Sequence, residues 1–124
     1  GLEPGAMCVA VAAGYDRLSE GEAKELRRVR ARLSEVIPLV QLWLFGSRAR
    51  GEAQPHSDWD LLAVVPDDAP ANVVELEQLW PRIPDLRAAR VEVIPVRQSD
   101  FDEAKDLWGT LCHMATTEGW RVRE

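Results

Sequence analysis

Two near-continuous apolar runs, LVQLWLF (39–45) and WDLLAVV (59–65), lie on either side of a turn-rich segment, RARGEAQPHS. Apolar runs this short, bounded by glycine and proline, suit strands covered on both faces. The second run carries an anomaly. Asp58 and Asp60 stand one residue apart at its start, where a buried strand normally excludes paired negative charge. Residues two apart in a strand point to the same face, so the two carboxylates project side by side. They repel unless a proton or a cation lies between them.

The remaining elements follow from periodicity and punctuation. Ser19 with Glu22 makes a capping-box pattern, and Ala23, Leu26, Val29, Leu33 and Val36 recur at helical spacing. The spacing predicts a helix over 19–37, ended by Pro38. A helical turn is expected at the start of RARGEAQPHS. Residues 71–80 read as a short helix limited by Pro81 and Pro84, and VEVIPV (91–96) as a third strand. Residues 99–118 read as a further helix with Gly109 weakening its middle, and WRVR (120–123) as a short edge strand. This order predicts an α/β (α+β) fold, a single-layer mixed β-sheet packed against helices.

At 124 residues the chain reads as one domain, 1–124. GLEPGA has the look of an appended leader ahead of Met7, and residues 1–17 are expected to be leader or poorly ordered. No apolar run approaches the roughly 20 residues that cross a bilayer, and no basic region precedes the first apolar patch as in a secretory signal. Cys8 and Cys112 make neither a disulfide framework nor a metal spacing, so they read as free thiols of a cytoplasmic protein. A net charge of −6 disfavours nucleic acid as the partner, despite the basic islands RRVRAR (27–32), read as a solvated helix face, and SRAR (47–50). His56 reads as a loop residue without function and His113 as structural. The five tryptophans read as core or interface packing, with Trp59 facing away from the aspartates.

A divalent cation resolves the Asp58–Asp60 repulsion, because hard oxygen ligands suit Mg²⁺. A third carboxylate is expected from a neighbouring strand, and Glu92, interrupting VEVIPV, is the candidate. An edge strand showing Glu92 to solvent is the competing reading. Gly46 lets backbone N–H groups approach an anion closely, and Ser47 adds a hydroxyl. Arg48 and Arg50 add charge for a phosphate, although side chains two apart on a helical turn do not both face one ligand. Arg50 reads equally as a clamp through Glu52 or a carbonyl. Ser57 reads as a turn cap or a ligand contact. A phosphate cradle beside a carboxylate cluster is a site for a nucleoside triphosphate with Mg²⁺ and in-line displacement at phosphorus.

GSRARGEAQPHSDWD resembles the signature of the DNA polymerase β-like nucleotidyltransferase superfamily: Gly-Ser, ten residues, then Asp-x-Asp. It is most similar to the minimal, MNT-type members that act as antitoxins beside HEPN-type toxins, and ATTEGWRV resembles the end of such domains. The resemblance implies the nucleotidyltransferase fold, with Gly46 and Ser47 on the triphosphate and Asp58 and Asp60 on two Mg²⁺ ions. It places the third acid, usually aspartate, on Glu92, as general base. It implies transfer of AMP from ATP to a tyrosine of a partner toxin. A binding module with a vestigial site, or nucleotidylation of a small molecule by a homodimer, are the alternatives.

Overall fold

The computed structural model describes residues 14–123. Ser19 Oγ accepts from the Glu22 N–H at 3.1 Å and Glu22 Oε1 from the Ser19 N–H at 2.9 Å, closing the capping box that starts helix α1 (Glu20–Val36). Ala23, Leu26, Val29 and Leu33 form its buried stripe. Strands β1 (Gln41–Phe45), β2 (Trp59–Val65), β3 (Val91–Arg97) and β4 (Trp120–Arg121) make one sheet in the order β3-β2-β1-β4. β1 is antiparallel to both neighbours, whereas β2 and β3 are parallel. The sheet is therefore mixed and packed against helices, as the element order predicts.

Covering both faces of β2 explains its unbroken apolar sequence. Leu61, Ala63 and Val65 pack with the α1 stripe, and Leu62 and Val64 pack with Phe45, Phe101 and Ala115 on the other side. Asp60 alternates onto this second face. Gly119 brings the last helix against the sheet, since a Cβ there would strike the Leu44 and Ala115 carbonyls. Tyr15, in the 3-10 turn Tyr15–Arg17, tilts against Trp120 at 5.4 Å; residues 1–13 of the expected leader, Cys8 among them, lie outside the described residues. Cys112 is a buried free thiol.

Two helices predicted as continuous are divided. The parallel β2–β3 pair needs a crossover, which holds α2's successors rather than one helix: after the single turn α2 (Ser47–Arg50), it contains α3 (Ala71–Val74), α4 (Leu76–Leu79) and α5 (Pro84–Ala88). Glu75 between α3 and α4 is extended, which lets Val73 and Leu79 both reach the core; in an unbroken helix they would point about 120° apart. Pro84 starts α5 rather than ending a helix, as proline does where no N–H is required. The stretch 99–118 splits into α6 (Gln98–Ala104) and α7 (Leu111–Glu118). Gly109 takes φ 93°, and the Thr110 hydroxyl accepts from the His113 N–H at 3.1 Å to begin α7.

Arg48 departs from its expected place beside a phosphate. Its side chain is buried, with Nε and Nη2 donating to the Ser57 carbonyl at 3.1 and 2.8 Å and Nη1 to Glu22 Oε2 at 2.8 Å. The guanidinium also lies 4.3 Å from the centre of the buried Trp59 ring. It ties the β1–β2 connection to the start of α1. Arg48→Met is expected to cost about 2–4 kcal/mol and lower Tm by roughly 10 °C in calorimetry, because the partly buried Ser57 carbonyl and Glu22 lose charged donors. Arg48→Lys should recover little of it, since ammonium lacks the planar fork.

Candidate active site

Chain geometry around Gly46 builds the site. β1 ends at Phe45, and Gly46 turns the chain into α2 with φ 77°. Phe45 is paired with Asp60 across the antiparallel ladder, so the Asp60 side chain reaches over the bend. A Cβ at position 46 would run into the Asp60 carboxylate. Glycine is thus demanded twice, by conformation and by space. Ser47 follows as the first residue of α2.

The parallel register sets Asp60 beside Glu92 on the same side of the sheet. Partial burial pushes the Asp60 carboxyl above the ordinary aspartate range; the Glu92 and Asp58 charges push the same way, and Arg50 opposes them. Glu92 is exposed between buried Val91 and Val93, accessible to solvent yet facing Asp60. Asp58 stands just before β2, and its Oδ1 lies 3.9 Å from Arg90 Nη1.

Among the described residues, Arg90 is the non-glycine residue with positive φ, at 62°. Its carbonyl accepts the Trp59 N–H at 2.9 Å, joining the starts of β2 and β3. Sequence reasoning missed Arg90; its only signal is a basic residue immediately ahead of the strand that carries Glu92.

Of the expected residues, Gly46, Asp60 and Glu92 converge, with Asp58 at their margin. Arg48 lies apart, as described. Arg50 shows the clamp reading, its Nε donating to Glu52 Oε1 at 2.9 Å, while its charge still acts on Asp60. Ser57 shows the cap reading, its Oγ accepting from the Gln54 N–H at 2.8 Å. His56 is exposed, and Trp59 faces away from the acids into the core.

Among the described residues, no three acidic, histidine or cysteine side chains already surround one point at metal-binding distance. By donor type, however, mutually repelling carboxylates suit a hard divalent cation, and Asp60 is the member that interacts with both others.

Because Asp60 is raised in the folded state, its effect on stability is fully favourable below the ordinary aspartate value of 3.8 and is lost as pH rises through the folded value. Asp60→Asn is therefore expected to raise Tm at pH 7 by roughly 1–3 °C, a modest gain given solvent screening. The difference should shrink on acidification towards pH 4, which a calorimetric pH series would reveal. Equal Tm values at pH 7 would show that the crowding of carboxylates carries no cost.

Searches of curated proteins and of solved structures found no significant match. A family model described as a nucleotidyltransferase domain matches residues 25–108, which span most of α1, all of β1, β2 and β3, and every candidate site residue. With a glycine bend, a carboxylate wedged over it and a second strand adding another acid, the match covers well over half of the chain, and the chain belongs to the nucleotidyltransferase domain family.

Proposed function

We propose that the chain is a Mg²⁺-dependent nucleotidyltransferase that moves AMP from ATP to a hydroxyl acceptor, a tyrosine of a partner HEPN-type toxin. The observation that carries this reading is the position of Asp60, packed over the Gly46 bend and repelled by Glu92 and Asp58. Membership of the family supports nucleotidyl transfer in general.

Asp58, Asp60 and Glu92 would hold the cations, which when bound neutralise charge on the phosphates. The backbone at Gly46 and the Ser47 hydroxyl would hold the triphosphate, with Arg50 adding charge from the end of α2. Glu92, exposed and beside Asp60, would take the proton of the attacking hydroxyl. The acceptor oxygen forms a bond to the α-phosphorus, the bond to the bridging oxygen breaks, and pyrophosphate leaves with those electrons.

A second reading, a binding module that neutralises its partner by contact, is favoured by the Asp58–Arg90 pair and the open carboxylate cluster. Incubation with α-labelled ATP, Mg²⁺ and a co-expressed partner separates the two. Catalysis predicts one adenylate of added mass on the partner, lost in Asp58→Asn and slowed about 10²–10⁴-fold in Glu92→Gln. A bound partner of unchanged mass would leave only the binding module.

A further inference from the structure

We propose that the corner formed by Tyr15, helix α1 and strand β4 is a docking surface for an acidic segment of a partner protein, held by Arg27, Arg30, Arg121 and Arg123. This surface is independent of the nucleotidyltransferase reading and shares no residue with it. The basic island RRVRAR, expected from the sequence to be a solvated helix face, divides in the structure. Arg28 pairs with Glu25 at 3.8 Å, and Arg32 with Glu35 at 3.5 Å and Asp85 at 3.0 Å. Arg27 instead lies over the Tyr15 ring, 4.3 Å from its centre. Arg30, three residues on, shares that side of the helix, and both charges act on the Tyr15 hydroxyl, against the burial that raises it. Tyr15 in turn tilts against Trp120 at 5.4 Å, and Arg121 and Arg123 follow in the chain.

Two observations mark this corner as incomplete by itself. Its cations crowd one another: burial, then the charges of Arg123 and Arg30, push Arg121 below the ordinary arginine range. Among the described residues no carboxylate pairs with Arg27, Arg121 or Arg123, although the chain holds 21 acidic against 15 basic residues. The second observation is that the Tyr15 hydroxyl and Trp120 Nε1 are buried with no hydrogen-bond partner among the described residues. Orphaned polar atoms of this kind are few in a folded chain, and each calls for a reason.

A guanidinium presents a planar fork that takes a carboxylate or a phosphate through two parallel hydrogen bonds. The surroundings favour the carboxylate. Without these four arginines the net charge of −6 becomes −10, so a nucleic acid running past the corner would carry its phosphates across an acidic surface. A short run of aspartate or glutamate places its charge at the corner alone. Nor is there a platform for bases, because Tyr15 and Trp120 are half-buried against each other and the core. The open tryptophan is Trp108, expected from the sequence to be a packing residue; it is 87% exposed but stands in the α6–α7 connection.

Fluorescence anisotropy tests this on the full chain, with a labelled oligoglutamate peptide and an oligouridylate RNA of the same charge as probes. Arg121→Gln/Arg123→Gln removes two cations of the corner, and Arg28→Gln removes one from the paired side of α1. At low salt the wild-type chain is expected to bind the peptide more tightly than the RNA. The double variant should weaken the peptide about five- to thirtyfold, the range of two ion pairs at a protein surface, while Arg28→Gln leaves it unchanged. Arg123 is exposed, so Arg123→Gln alone keeps the fold and should weaken the peptide about two- to fivefold. No peptide binding by the wild-type chain at low salt, or equal binding by both corner variants, overturns the surface. RNA bound more tightly than peptide, with the same loss in the double variant, overturns the acidic protein partner in favour of nucleic acid. Affinity for ATP with Mg²⁺ should be the same in every variant, so a failure here leaves the nucleotidyltransferase reading untouched.

Discussion

Burial of the Arg48 guanidinium is the interaction on which the rest of the structure depends. Three of its nitrogens are committed, two to the Ser57 carbonyl and one to Glu22, and its flat face covers Trp59. Glu22 already closes the capping box of α1, so one carboxylate serves the helix start and the β1–β2 connection together. The consequence is local rigidity. The connection returns the chain to β2 with Trp59 in the core, which by strand alternation sends Asp60 to the other side of the sheet.

From that point register does the work. Antiparallel pairing sets Phe45 opposite Asp60, and parallel pairing sets Glu92 beside it. Slipping β3 by one residue would send Glu92 to the α1 side and bring an apolar neighbour in its place. The Trp59–Arg90 hydrogen bond guards against this at the very start of the two strands. Arg90 adopts the left-handed conformation there at some cost in backbone energy, and its side chain sets a positive charge 3.9 Å from Asp58.

The sheet and the acids were legible because strand pattern and charge leave strong marks. Asp-x-Asp at the head of an apolar run, and a glutamate inside another, predict the same-face grouping that the register provides. The helix boundaries were less legible. The break at Glu75 arises because Val73 and Leu79 must both be buried, a demand made by the sheet rather than by local propensity. The break near Gly109 has its signal in that glycine, and Thr110 beside it caps the helix that follows. Arg48 and Arg50 were indistinguishable as SRAR, because only the tertiary position of Glu22 decides which arginine is drawn inside. The exposure of Trp108 was equally invisible, since tryptophan is ordinarily a core residue and nothing adjacent marks this one as different.

The contact between Asp60 and the Gly46 bend also has a thermodynamic consequence. One carboxylate both overhangs the turn and takes part in the acidic group, so any anion entering the turn and any cation drawn to the acids must negotiate with the same oxygens. Were both ligands to bind there, their affinities would be tied by linkage, each altering the other by an equal factor. Cooperativity between oppositely charged ligands would need no moving domain or lid, only the absence of a methyl group at position 46.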